Sequence, residues 1–293
     1  MDGIAIVLDL HHPDHYLHAF TFPEWRHVAS FGKRGKGPEE MLSAESIRFH
    51  ALDSLWVLDA NRMLITRWQI SPQNRLAERV EAIDLDKSLI RTLDFLVTDT
   101  GFIVPDYLGT HRYSRVTFQG KRTGSEGSIP TEKGYNELAR PAFAQAWRSF
   151  IDGYRGSDIL VMATQLGEVI EFHRPADSEG AVLYGPHGEP EFRPEQSEAI
   201  PTGIMGFSDV QVTERYVYAV FHGRSFEEIG RTLRAGGVNE DGGRFIYVFD
   251  HEGTPVRKYT LDRAVYGIHV DEQAGTIVAT DVNSDNPICV FEM

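Results

Sequence analysis

The chain has 293 residues, of which 41% are hydrophobic, and it carries a formal net charge of −14 and one cysteine, Cys289. The apolar content argues against wholesale disorder, and the negative charge argues against nucleic-acid binding and against docking onto anionic lipid. A single cysteine excludes an intrachain disulfide. No apolar run approaches the roughly 20 residues that span a bilayer, so we expect no membrane insertion.

Short apolar and aromatic runs that end near a turn acid recur along the chain and indicate β-strands. Their spacing of about 45 to 60 residues is that of a four-stranded propeller blade. The repeat predicts an all-β fold, a six-bladed β-propeller of four-stranded antiparallel blades that forms a single domain over residues 1–293. The six runs are 3–10, 53–68, 100–107, 157–164, 215–222 and 274–291.

The two terminal blades are expected to be incomplete. The first blade begins at its second strand, 3–10, and the last blade ends after its third strand, near residue 293. Either a further strand and an export signal precede residue 1, or three strands suffice in these blades. The sequence itself contains no export signal, so it leaves the compartment open.

Helical periodicity is confined to residues 136–151 and 224–236. Pro141 is expected to interrupt the first of these helices, because proline lacks the N–H that a helix interior needs.

Residues 31–40 read FGKRGKGPEE. The Gly-Lys-Ser/Thr ending of a phosphate-binding loop is absent, and Pro38 removes a backbone amide. We therefore predict a tight crossover between strands, with glycines at positive φ. Lys33, Arg34 and Lys36 would form a cationic patch on its surface.

The same segment carries a family resemblance. FGKRGKGPEEM resembles the FGxxGxGPGEF segment of the TolB-like six-bladed propeller family of the Bacteroides type. In addition, Asp59-x-Asn61-Arg62 after LWVL resembles the blade signature of NHL-type propellers. Glu39 replaces the family's glycine and Met41 its phenylalanine. The resemblance implies the fold and leaves the reaction open.

Candidate ligand-binding residues fall into three sets. One set is the cationic patch. A second lies on or near the first strand of each blade, whose alternate residues would face a central channel: Arg48, Arg91, Asp94, Asp209, Tyr266 and His269. A third lies on long loops that are expected on the same face as the cationic patch: Tyr107, His111, Arg112, Tyr113, Arg224 and Arg231.

Two patterns contain residue types that bind metals, but their spacing favours other interpretations. His11, His12, His15 and His18 match no established ligand spacing, so they are predicted to be solvated turn histidines. DVNSDN, residues 281–286, resembles the start of a calcium loop but lacks its central glycine. Asx side chains that bond their own turn explain both this segment and Asp59-x-Asn61. Cys289 is predicted to be an inert core residue.

The function predicted from the sequence is a binding module that recognises a protein, peptide or carbohydrate at its loop-rich face and channel mouth. It is not expected to be an enzyme or to need a cofactor. The alternative is a metal-dependent, lactonase-like hydrolase, with Asp94 and Asp209 as metal ligands in the channel.

Overall fold

The computed structural model describes residues 3–134, 139–154, 157–174, 179–195 and 197–293. The chain divides into two compact units. Unit 1 comprises Met1–Tyr107 and His111–Gly127, and unit 2 comprises Leu108–Thr110 and Ser128–Met293.

Unit 1 contains three antiparallel sheets, each built from consecutive strands. The first sheet has three strands, β1 (Ile4–Leu8), β2 (His15–Thr21) and β3 (His27–Lys33). The second has four, β4 (Ala44–Phe49), β5 (Leu55–Asp59), β6 (Leu64–Ser71) and β7 (Leu76–Asp84). The third has β8 (Leu96–Val97), β9 (Gly101–Pro105), β10 (Tyr113–Thr117) and β11 (Arg122–Glu126).

Unit 2 contains three further sheets of the same kind, a hairpin and two described helices. The first sheet has β12 (Ser149–Tyr154), β13 (Ile159–Thr164), β14 (Val169–Arg174) and β15 (Glu179–Tyr184). The second has β18 (Phe207–Val212), β19 (Val217–Phe221), β20 (Gly243–Phe249) and β21 (Pro255–Val265). The third has β22 (Ile268–Asp271), β23 (Thr276–Thr280) and β24 (Ile288–Glu292). The hairpin is β16 (Phe192–Glu195) with β17 (Glu198–Pro201), and the helices are α1 (Arg140–Ala146) and α2 (Phe226–Arg234).

The six sheets are the six predicted blades, so the fold class is an all-β, six-bladed propeller of mainly four-stranded antiparallel blades, as the repeat predicts. Five of the six runs contain the second strand of their sheet, whereas the first run, 3–10, contains β1, the first described strand of its sheet. Among the described residues, the first and last sheets have three strands each, as expected for the terminal blades. A single domain over 1–293 stays a prediction.

The second strand of a blade is apolar because it lies between two other strands and is covered on both faces. All residues of β5, β9, β13 and β19 are buried. The outer strand β7, LAERVEAID, instead alternates exposed and partly buried residues. The continuous apolar runs in the sequence therefore correspond to strands that are covered on both faces.

Adjacent blades share apolar cores within each unit. Phe31 of β3 packs against Trp68 of β6, with ring centroids 5.2 Å apart, in the core between the first two sheets. Phe172 of β14 packs edge-on against Phe249 of β20 at 5.8 Å in the corresponding core of unit 2. These contacts join neighbouring sheets face to face.

One helix is as predicted and one differs. The pattern over 224–236 becomes α2, which Ser225 caps by accepting the Glu228 N–H while the Glu228 side chain accepts the Ser225 N–H. Pro141 does not interrupt α1 but lies in its first turn, where its missing N–H costs nothing. The predicted helical end, 149–151, belongs to β12, and its start, 136–138, lies outside the described residues.

Candidate functional site

Side chains on the inner strands of unit 2 hold neighbouring blades together. Asp152 on β12 accepts the backbone N–H of Val212 on β18 at 2.7 Å, and Asp209 on β18 accepts that of Ile268 on β22 at 2.8 Å. Gln211 on β18 accepts a further N–H of β22 at 2.7 Å. We call these contacts blade clips. Asp209 is predicted from the sequence to bind a ligand. In the structure its carboxylate forms a clip between β18 and β22.

Asp94 plays a comparable part in unit 1. It lies in the connection before β8, where its Oδ1 accepts the Ser46 hydroxyl at 2.6 Å and the Arg48 guanidinium at 2.8 Å. The structure therefore brings the predicted residues Arg48 and Asp94 together as an ion pair. Arg91 lies in the same connection and donates to Asn61 and Glu45, at 2.7 and 2.9 Å.

The remaining channel candidates lie near one another in unit 2. The backbone carbonyl of Tyr266 accepts the Ser208 hydroxyl at 2.8 Å, and Tyr266 precedes β22, where His269 is exposed. The Tyr266 side chain is itself exposed. Binding of a ligand by Tyr266 and His269 stays a prediction.

The FGKRGKGPEE segment is a crossover from β3 to β4, as predicted, with positive φ at Gly32 and Gly35. Lys33 Nζ lies 2.8 Å from Glu40 Oε1. The hydrogen bond from Lys33, and next that from the Gly37 N–H, lower the pKa of Glu40. The segment's own acid therefore offsets part of its positive charge.

Arg34 is partly buried and is held against the first sheet of unit 1. Its guanidinium donates to the carbonyls of Asp9 and Leu10 and lies 3.7 Å above the Tyr16 ring. Lys36 is exposed. Lys36 is therefore the member of the predicted cationic patch that is best placed to meet a ligand, and ligand binding by the patch stays a prediction.

The histidines of the first sheet differ in part from the prediction. His11 is an exposed turn residue, but His18 lies on β2, is buried and has its Nδ1 2.9 Å from Ser30 Oγ. The prediction of solvated turn histidines is wrong for His18, because β2 is the middle strand of its sheet and residues 16–19 are buried on both of its faces.

The Asx interpretation is confirmed at both places. Asp59 accepts the N–H of Arg62 at 3.1 Å, and Asp281 accepts that of Asn283 at 2.9 Å. Cys289 is buried on β24.

The loop between β9 and β10 places its predicted residues unevenly. Tyr107 and Arg112 are buried, and Arg112 is only 1% exposed. His111 lies at the surface with its Nδ1 4.0 Å from an Asp106 carboxylate oxygen. Tyr113, on β10, is buried and donates to Glu126 at 3.0 Å. His111 is the most exposed of these four residues, and ligand binding by this set stays a prediction.

Four connections of unit 2 are joined by hydrogen bonds into one surface, which we call the loop face. It consists of the described parts of residues 128–148, 185–206, 222–242 and 281–287. Thr131 donates to Glu189 at 2.7 Å, linking the first two connections. Phe226 N–H donates to the Gly203 carbonyl at 3.0 Å, linking the second and third. Asp241 and Asn283 exchange two bonds, at 2.8 and 2.9 Å, linking the third and fourth.

Hydrogen bonds between its own residues hold the insertion 222–242 in place. Arg224 donates to Asn239 at 3.1 Å and to Thr232 at 3.4 Å, so this predicted ligand residue braces the insertion. Arg231 stays at the surface, 3.8 Å from Glu227. Leu233 and Val238 are 55% and 81% exposed, and Val282 of the neighbouring connection is 47% exposed. The loop face therefore presents apolar side chains to solvent.

A cavity of about 220 Å³ opens in the loop face between α1, residues 131–134 and the start of the hairpin. Phe143 forms one wall, with its ring centroid 6.1 Å from that of Trp147 and 6.4 Å from that of Phe192. Glu189 and Lys133 supply charge at the lining. Burial, and next the charge of Glu189, raise the pKa of Tyr184 on the adjacent strand β15.

The sequence-based candidates do not include these cavity residues. Phe143 and Trp147 stand four residues apart in a helical pattern, which places them on one side of the helix. Glu189 and Phe192, however, come from a separate connection with no local signal of its own. From the sequence, only the helical spacing of Phe143 and Trp147 could have indicated part of this cavity.

Six blades of consecutive antiparallel strands define the protein as a β-propeller. Residues 1–273 match the family model described as "TolB-like 6-blade propeller-like". The chain belongs to the TolB-like six-bladed propeller family, as the FGKRGKGPEEM resemblance implies. No curated protein matches the chain significantly.

Solved structures agree in fold at low identity. A member of the DUF4221 family from Bacteroides vulgatus has a TM-score of 0.55 at 8% identity, with 98% of this chain and 89% of that chain covered. The RRP9 WD40 repeats have a TM-score of 0.54 at 9% identity, with 99% and 97% covered. A chain of the Mitotic Checkpoint Complex has a TM-score of 0.51 at 9% identity, with 99% and 72% covered. At such identities the likeness concerns the fold alone.

Within the ranges that the structure describes, no helix is long and apolar enough to cross a bilayer. No group of three or more His, Cys, Asp or Glu side chains in those ranges is placed to hold a metal ion.

Proposed function

We propose that this propeller is a binding module whose loop face holds a protein or peptide segment. The observation that carries the proposal is the contrast between the two edges of the sheets in unit 2. At the edge opposite the loop face, described connections such as 213–216, 250–254 and 272–275 are short turns. At the loop face, 185–206 and 222–242 carry a hairpin and a capped helix. Long ordered loops on a rigid scaffold are where binding residues concentrate.

The chemistry of the face favours a macromolecular ligand. Leu233, Val238 and Val282 are exposed apolar side chains on two hydrogen-bonded connections of the loop face. Exposed apolar surface that is grouped in one place marks an interaction site. The cavity, at about 220 Å³, is smaller than the roughly 300–1,000 Å³ of sites for drug-sized molecules, so it suits one side chain of a longer ligand.

The hydrolase alternative receives no comparable support. Such an enzyme needs three or more convergent ligands with an open coordination position. Asp209, one of the two proposed ligands, accepts two backbone N–H groups, and Asp94 pairs with Arg48. Its test remains the addition of divalent ions to metal-stripped protein, because an ion that binds the folded state raises Tm.

Selection of a random peptide library on the immobilised full chain tests the binding proposal. We expect enriched peptides whose affinity falls at least tenfold, about 1.4 kcal/mol, in the Leu233→Asp, Val238→Asp double variant. The matched control is the Val256→Asp, Val290→Asp double variant, at positions 47% and 55% exposed on β21 and β24, outside the loop face. Peptides that bind the wild type and the Leu233/Val238 variant equally well would contradict the proposal.

A further inference from the structure

We propose that the cavity of the loop face binds the cationic head of a basic side chain, lysine or arginine, of a bound peptide. This inference deepens the proposed function and rests on it. It assigns one anchor of the ligand, whereas the proposed function concerns the face as a whole.

The first argument is the charge of Glu189. Its side chain lines the cavity, and the residue is only 7% exposed. Its two carboxylate oxygens accept the Thr131 hydroxyl and the Glu132 N–H, both at 2.7 Å. Both donors are neutral, and in the described part of the chain no Lys, Arg or His forms an ion pair with Glu189. Buried charges are ordinarily paired, so a ligand cation would supply the counter-charge.

The second argument is the aromatic lining. Phe143, Trp147 and Phe192 lie around the same cavity as the carboxylate. Aromatic faces attract ammonium and guanidinium groups through the negative face of the ring. The aliphatic stem of lysine or arginine would pack on apolar surface while its head meets the acid. An acid beside aromatic rings therefore selects a basic side chain over a neutral apolar one.

Lys133 is the competing cation of the chain itself. It lines the cavity, its side chain is exposed, and no ion pair joins it to Glu189. Its charge opposes entry of a second cation. Removing it by Lys133→Ala is therefore expected to tighten binding of a cationic probe.

The probe for the experiment is n-butylammonium, with n-butanol as the neutral isostere, titrated into the full chain. Binding is followed by the Trp147 indole N–H signal in nuclear magnetic resonance, assigned with Trp147→Phe. We expect a saturable shift with the cation and affinity at least fivefold weaker for the alcohol. Glu189→Gln should remove this preference, whereas Glu191→Gln, an exposed acid outside the lining with the same change of charge, should keep it.

Equal affinities for cation and alcohol in the wild type would overturn the inference, and this comparison holds even if Glu189→Gln fails to fold. An equal loss in the Glu189 and Glu191 variants would also overturn it, since general attraction to an acidic protein would then explain binding. Library peptides that depend on Leu233 and Val238 but contain no basic residue would refute this inference and leave the proposed function standing.

Discussion

His18 shows what burial does to a single titratable side chain in this protein. The residue is 8% exposed, with its Nδ1 2.9 Å from Ser30 Oγ. Burial, and next the charge of His12, lower the pKa of His18. The folded state thus keeps this imidazole neutral at pH values where an unfolded chain takes up a proton.

The stability that follows from this pKa is complete above the ordinary histidine value of about 6.5 and is lost as pH falls from there through the folded-state value. We therefore expect the free energy of unfolding of His18→Gln to fall less than that of the wild type between about pH 7.5 and about pH 5.5. Urea titrations at each pH measure it. His11→Gln, at an exposed turn, is the control and should keep the wild-type slope. A wild-type slope in His18→Gln would contradict the assignment.

Glu189 illustrates the limit of sequence reasoning at the same scale. The sequence shows that residue 189 is an acid. Its burial, and the hydrogen bonds that it accepts from the Thr131 hydroxyl and the Glu132 backbone N–H, depend on tertiary packing. Likewise, the sequence places Asp209 on an inner strand. It does not distinguish a ligand-binding carboxylate from one that accepts a backbone N–H.

Among the elements, the clip between β18 and β22 is a direct test of blade-to-blade contact. Asp209→Ala removes the acceptor of the Ile268 N–H. Leaving such a group without its partner costs about 1–3 kcal/mol, so we expect a loss of that size in the free energy of unfolding, measured with urea. Asp285→Ala, at an exposed turn residue, removes the same charge and should change stability by less than about 0.5 kcal/mol. Equal effects of the two would argue that charge, not the clip, matters.

The crossover from β3 to β4 depends on the backbone of Gly35. Its φ is 151°, and a Cβ there would lie 1.9 Å from Glu40 Oε2. Gly35→Ala should therefore displace Glu40 from Lys33 and destabilise the fold by about 1–3 kcal/mol, measured by thermal or urea unfolding. Gly124→Ala, where nothing lies within 4 Å of the added carbon, is the control and should be neutral or slightly stabilising. A neutral Gly35→Ala would show that the crossover tolerates a side chain.

For the whole molecule, the blades are predictable and the loop face is not. Continuous apolar runs such as LWVLD, Leu55–Asp59, mark second strands because two sheet faces cover them. The loop face instead forms where separate connections meet, as when Asp241 bonds Asn283. No periodicity links these segments, so their approach follows only from the packing of the blades that carry them.

The blade clips have a consequence for how far such a sequence can diverge. Each clip receives a main-chain N–H, which every residue except proline provides, so it places no demand on the side chain at the donating position. A substitution at 212, 268 or 270 by any residue except proline therefore leaves the donor of the clip in place. Val212 and Val270 are also buried in apolar cores, so at these two positions packing, and not the clip, limits which side chains fit.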